Sequence, residues 1–217
     1  MMIRITFSLA LRYLQNEIVT MKKLHFLLLV SAVGFSFIND AWKEVKSEDE
    51  IIVYNTQVMG FKFKKSKAET TIKNGDLGKA ENILKDVKNY KNWMHNCSSS
   101  KLLKTEGEKL FIQLIFDAPW PITDRELIIE SNFKSSNNQL EVISKAIPNY
   151  IPSNEDYVRI ELSNGLWQFN LKKNGNVFIR NINHSNPGGN IPVWLSTTAV
   201  EDIPLETMQE MVKLMNK

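Results

Sequence analysis

The sequence predicts an α+β fold in which a curved antiparallel sheet wraps around a long C-terminal helix. Strand-like runs follow one another with short turn signals between them, and an amphipathic helical segment separates the early strands from the later ones. The chain ends in an apolar stripe of helical spacing. A sheet that grips this last helix is the simplest packing for such an order of elements.

The predicted order is a helix, three strands, a helix, six strands and a long helix. The first helix is expected at residues 41–48, and Asp76 is a plausible N-cap for the second helix, whose apolar positions begin at Leu77. Asn164-Gly165 falls inside a long apolar stretch and favours a hairpin there over a bulge. The strands are predicted at 51–54, 61–64, 68–72, 101–103, 110–116, 125–133, 140–146, 157–171 and 177–182.

The C-terminal helix carries two start signals, at 190–192 and at 202–204. Each places a cap-type residue just before a first-turn proline, where the missing N–H costs little. The helix after the second signal presents one apolar face. That face consists of Leu205, Met208, Met211, Val212 and Met215.

The N-terminal segment predicts export. Lys22-Lys23 precedes an apolar run that ends at Ile38, which matches a basic n-region and an h-region too short for a comfortable membrane span. We therefore assign residues 1–20 to a non-native or unassigned extension, 21–37 to a signal peptide and 38–217 to one domain. The mature N terminus should fall between Gly34 and Asn39, in a periplasmic or secreted protein. An uncleaved segment would instead be a membrane anchor.

Composition excludes several other classes of function. The net charge is +3 and the lysines are scattered, so nucleic-acid binding has weak support. The single cysteine, Cys97, cannot form an internal disulfide and is expected to be buried and inert. His95 and Cys97 are too few ligands for a zinc site. The sequence contains no phosphate loop or nucleophile elbow, so we predict neither a metal, nor a cofactor, nor a catalytic residue.

The run 110–116 does not alternate between apolar and polar residues. Both faces of this strand should therefore be buried, which is unusual for an antiparallel sheet. One face would meet helices, and the other would either line a cavity or belong to a thick, filled core. Polar side chains that point inward must pair with one another or touch a ligand head group.

Several segments, taken in order, resemble the START family of lipid-binding domains, a branch of the helix-grip folds. The similarity extends from about Trp42 to the C terminus. Val158-Arg159 and the later 165–167 segment resemble a strand pair of the family, and Arg180 resembles a residue of the strand that follows. The matching motifs are Tyr90–Cys97, Pro119–Glu126 and Asn186–Pro192. Strand 110–116 offers only Gln113 as a polar group, so the buried acid–arginine pair of sterol-binding members has no evident counterpart.

The resemblance implies an internal cavity that binds a lipid or another apolar small molecule without chemistry. We expect Met211 near the centre of that cavity, since flexible methionines adapt to irregular apolar ligands. The full predicted cavity set is Phe111, Gln113, Ile115, Arg125, Arg159, Trp167, Trp194, Met208, Met211 and Met215. The alternative is a cyclase or hydrolase that uses the same cavity. We further expect a monomer that makes transient membrane contact.

Overall fold

The computed structural model of the chain describes residues 42–217 without 190 and 192, and for residues 193–199 it describes the backbone alone. The predicted signal peptide and the extension before it lie outside the described residues. The elements are β1 (Lys43–Glu48), β2 (Ile51–Thr56), β3 (Lys65–Ile72), α1 (Leu77–Lys85), a 3₁₀ helix (Val87–Asn92), β4 (Cys97–Glu106), β5 (Lys109–Phe116), β6 (Arg125–Ser135), β7 (Gln139–Ala146), β8 (Val158–Arg159), β9 (Leu162–Leu171), β10 (Val177–Asn186) and α2 (Val193–Asn216).

The strands form one sheet with the order β1-β2-β3-β10-β9-β7-β6-β5-β4. All neighbours in this order are antiparallel, whereas the short β8 pairs in parallel with the start of β6. The turns that join β4 to β5 and β9 to β10 contain Gly107 and Gly175, both at positive φ, a conformation that glycine adopts without strain. Together with α2, which contacts β1, β2 and β3, this sheet confirms the predicted fold class.

Both faces of β5 are buried, as the lack of apolar–polar alternation in its sequence predicts. Leu110, Ile112 and Leu114 belong to the main core, which also contains the apolar stripe of α2. Phe111 and Ile115, on the other face, are covered differently: the Phe111 ring stacks on Tyr150, with 4.8 Å between the ring centroids. The second layer over β5 is therefore a loop that follows β7.

The helix predicted at 41–48 is wrong, because this segment forms β1. Its residues pair with β2 from Lys43↔Asn55 to Glu48↔Ile51. Asp49 and Glu50 both have positive φ, as a two-residue type I′ hairpin turn requires. Pairing in a tight hairpin outweighs the local helical spacing of this short segment.

The predicted hairpin at Asn164-Gly165 is also wrong. Both residues lie inside β9, where Gly165 pairs with Ser144 of β7 on one side and with Asn183 of β10 on the other. A strand that is hydrogen-bonded along both edges cannot reverse at this point. The strand predicted at 61–64 is likewise absent, since these residues belong to the loop between β2 and β3.

The last helix is continuous and includes Pro204, so the predicted second start is wrong. The Asp202 carboxylate does not cap a new helix there; it accepts a hydrogen bond of 2.6 Å from Lys46 Nζ of β1. The predicted apolar stripe does face the core, where Met208 and Met211 are fully buried. No helix in the described part of the chain is both long and apolar enough to cross a membrane.

Candidate ligand pocket

A pocket of about 240 Å³ opens between the sheet and the first half of α2. Its walls come from the β2–β3 loop, the segment after the 3₁₀ helix, the β5–β6 loop, the end of β10 and α2. Most of the lining is apolar: Phe63, Phe116, Ala118, Pro119, Leu127, Ile160, Pro187, Ile191, Val200, Ile203 and Pro204. The polar lining consists of Lys64, Ser66, His95, Asn96, Asp117, Arg125, Asn183 and Ser185.

Arg125 is the most deeply buried charged residue of this lining, at 7 % exposure. Its Nη1 donates to the carbonyl of Thr123, and its Nη2 lies 3.5 Å from the carbonyl of Gly188. Its Nε is buried without a partner. Burial lowers the pKa of the Arg125 guanidinium, an effect that the nearby Asp124 charge opposes, yet arginine remains charged in proteins.

The Pro-Gly-Gly turn passes directly over this arginine. Gly188 and Gly189 have φ values of +69° and +62°. A Cβ atom on Gly188 would lie only 3.2 Å from Cγ1 of Val158. Glycine at this position therefore allows both the turn conformation and the close approach that brings the end of β10 to the pocket.

Polar contacts hold α2 against the rest of the pocket wall. His95 Nδ1 pairs with Glu206, which ties the segment after the 3₁₀ helix to α2. At the other side of the helix, Gln209 donates to Asp49 over 3.0 Å, and Lys46 pairs with Asp202. These contacts position α2, so His95 has a structural partner in this pocket.

Of the ten predicted cavity residues, Arg125 lines this pocket. Trp167 packs in the main core, where its ring stacks on Phe169 with 5.8 Å between centroids. Met208, Met211 and Met215 lie in the same core. That these four line a ligand cavity stays a prediction, and the side chain of Trp194 lies outside the described residues.

Four other predicted residues lie on the opposite face of the sheet from Arg125, and their assignment to a ligand cavity stays a prediction. They share the face of Glu126, which alternates with Arg125 along β6. Gln113 Nε2 donates to Glu126 Oε1 over 2.5 Å, and Arg159 Nε donates to Glu126 Oε2 over 2.9 Å. The four residues are Phe111, Gln113, Ile115 and Arg159.

The pocket also contains residues that sequence reasoning missed. Phe63 lies on a loop that was expected to be a strand, and His95 was not assigned to the cavity. Ile203 belongs to the segment that was read as a second helix start. The adjacent pair Arg125-Glu126 could have shown that charged residues lie on both faces of the sheet, since neighbouring residues of a strand point to opposite faces.

The described residues contain neither a candidate metal site nor a reactive thiol. They include no group of three or more side chains that could hold a metal ion. Cys97 is buried as predicted, and burial raises the pKa of its thiol to about 11. Because the thiolate is the reactive form, this cysteine is unreactive near neutral pH.

No protein-family model matches the sequence, but the chain is similar to one curated protein and to several solved structures. An uncharacterized protein of Pseudomonas aeruginosa is 34 % identical over 181 residues, which cover 83 % of this chain and 89 % of that protein. The crystal structure of a STAR-related lipid transfer protein (fragment 25–204) from Xanthomonas axonopodis matches with a TM-score of 0.74 and 26 % identity, over 82 % of this chain and 100 % of that one. The chain has the START fold.

The START fold extends to more distant proteins. Human STARD10 matches with a TM-score of 0.70 and 18 % identity, over 81 % of this chain and 73 % of that one. At this level of identity the likeness concerns the fold alone. The START assignment thus confirms the resemblance that the segments around Trp93, Trp120 and Pro187 indicate in the sequence.

Proposed function

We propose that this START protein binds one lipid or other apolar small molecule in the pocket and carries or senses it without chemical change. The observation that carries the proposal is the largely apolar pocket between the sheet and α2. Ligand sites are mostly apolar with a few placed polar groups, and the lining of this pocket has the same character. The name of the Xanthomonas axonopodis relative, a lipid transfer protein, supports the same function.

The enzyme alternative has weaker support. A cyclase or hydrolase would need a titratable group free to exchange a proton with the ligand, or a nucleophile next to a base. His95 lines the pocket but is engaged by Glu206. Within the described residues, no serine, threonine or cysteine forms a hydrogen bond with His95, so the carrier remains the proposal.

Filling the pocket should abolish binding. We expect Ile203→Trp to lower the affinity for a fluorescent fatty acid at least about tenfold, because the indole would occupy the space between α2 and the sheet. The measurement is a fluorescence titration of the purified full chain. Ile143→Trp is the matched control, since Ile143 is 40 % exposed on β7 and does not line the pocket.

Native mass spectrometry of protein purified from its own cells provides the second arm of this test. A co-purifying lipid, present in the parent and in Ile143→Trp but absent from Ile203→Trp, is the expected result. An empty parent protein that also fails to bind the fluorescent fatty acid would contradict the carrier proposal.

We also propose transient membrane contact through the two loops beside the pocket. Trp120 in the β5–β6 loop is 92 % exposed, and Met59 in the β2–β3 loop is 78 % exposed. Both loops contribute to the pocket wall. Lys62 and Lys64 are exposed on the second loop, so the surface combines an interfacial tryptophan with positive charge, which suits anionic lipid head groups.

Removing the tryptophan should weaken this contact. We expect Trp120→Ala to reduce partitioning onto vesicles of phosphatidylcholine and phosphatidylglycerol about tenfold, because the aromatic ring would no longer be buried in the interface. Cosedimentation with the vesicles measures the effect. Leu102→Ala removes an exposed apolar side chain from β4 and should leave partitioning unchanged; equal losses in both variants would argue against a specific docking loop.

Export remains a proposal supported by the sequence of residues 21–38. Sequencing of the N terminus of the protein from its own cells would test it. We also propose that the protein is a monomer.

A further inference from the structure

The arginine in the pocket wall lacks the acidic partner that a buried guanidinium normally has. Arg125 contacts two backbone carbonyls, and its Nε has no acceptor. No carboxylate among the described residues forms an ion pair with it. An isolated charge in an apolar setting is costly unless something compensates for it.

The acidic groups near the pocket are engaged elsewhere or exposed. Asp124 Oδ1 accepts a hydrogen bond of 2.8 Å from the backbone N–H of Ala118. Glu126 lies on the other face with Arg159, and Glu206 pairs with His95. Asp117 lines the pocket but is exposed to solvent, where water screens its charge.

The planar donors of the Arg125 guanidinium lie beside the apolar lining of the pocket. Leu127, two residues further along β6, lines the same pocket, and Ile203 faces it from α2. Guanidinium groups match carboxylates and phosphates in geometry as well as charge. A molecule with an anionic head and an apolar tail would satisfy both parts of the pocket.

We infer that Arg125 forms an anion subsite, so that the ligand of this START domain is an acidic amphiphile whose carboxylate or phosphate head binds Arg125. The inference rests on the proposed carrier function and narrows the class of ligand. Neutral lipids of the same chain length should bind more weakly, because they would leave the buried charge uncompensated.

The test compares decanoic acid, decyl phosphate and decanol as ligands of the full chain, by tryptophan fluorescence titration at neutral pH. The wild-type protein should bind at least one acidic ligand about tenfold or more tighter than decanol. Arg125→Met should remove the advantage of that acid over decanol, and Arg125→Lys should restore part of the preference. Arg180→Met, which removes the same charge where Arg180 pairs with Glu69, should keep the full preference.

The outcomes separate this inference from the carrier function. Equal affinity of the wild-type protein for all three ligands would overturn the anion subsite and leave the carrier standing. Failure of all three to bind, with no lipid in the native mass spectrum, would overturn the carrier itself. Acetate and inorganic phosphate serve as probes of a free anion: weak binding supports the amphiphile, whereas binding as tight as decanoate or decyl phosphate would overturn the amphiphile in favour of a small ion. The wild-type comparison stands even if Arg125→Met fails to fold.

Discussion

Replacing Arg159 by methionine is expected to lower the free energy of unfolding by about 3–5 kcal/mol. Arg159 and Glu126 form a buried ion pair on the outer face of the sheet, where Glu126 is 1 % exposed and lies 2.7 Å from Nη2 of Arg159. The same guanidinium donates to the carbonyls of Pro148, Ile151 and Pro152. Removal of the guanidinium would leave the buried Glu126 carboxylate with Gln113 as its remaining side-chain partner. It would also release the loop between β7 and β8.

Urea unfolding followed by circular dichroism measures this loss. The double variant Glu126→Gln/Arg159→Met should recover more than about 1 kcal/mol, because it also removes the stranded charge. Lys213→Met serves as the control, since Lys213 forms an exposed pair with Glu210 on α2 and such pairs contribute little. A loss below about 1 kcal/mol for Arg159→Met would mean that the pair does not anchor the loop.

Replacing Met211 by alanine is expected to lower the free energy of unfolding by about 2–5 kcal/mol. Met211 is fully buried on the core side of α2, between Met208 and Met215 on the same stripe. Truncation would leave a space that rigid neighbours can fill only in part. If the space around Met211 is filled core, Met211→Trp should also destabilise, by about 1–3 kcal/mol, because the added volume overpacks the core.

Denaturant unfolding and fatty-acid titration on the same proteins make this test decisive. Met59→Ala is the matched control, because Met59 is exposed in the β2–β3 loop and its truncation should change stability by less than about 0.5 kcal/mol. If Met211→Trp kept its stability but lost fatty-acid affinity, the methionines would line the ligand cavity and the space around Met211 would not be filled core.

The parts of the fold that the sequence predicts are those with strong local signals. Period-two or unbroken apolar runs mark the strands from β5 onward, and Asp76 marks the start of α1 by accepting from the N–H of Gly78. The β1–β2 turn was missed because Glu50 stands where a type I′ turn usually has glycine. In β9, a pair typical of a hairpin turn occurs in an extended strand, since both neighbouring strands hold it in place.

The site was harder to predict because loops from distant parts of the chain build it. Phe63, Asp117 and Ile203 come from three separate segments, and no local pattern indicates that they meet. Arg125 was found because a charge inside an apolar strand is conspicuous. The ion pair of Arg159 with Glu126 was not predicted, because it becomes apparent only when β8 pairs with β6.

The pairing of β3 with β10 has a consequence for the order in which the chain assembles. The partners in this pair range from Ile72↔Val177 to Ser66↔Asn183. One edge of β3 therefore cannot form its hydrogen bonds until β10 has been synthesised. Contacts between such distant segments slow folding, and an unpaired edge invites pairing with other chains. During synthesis, the open edge of β3 persists until β10 emerges from the ribosome. β3 carries Lys65, Lys67 and Glu69, and charged side chains on an exposed strand disfavour pairing with other chains.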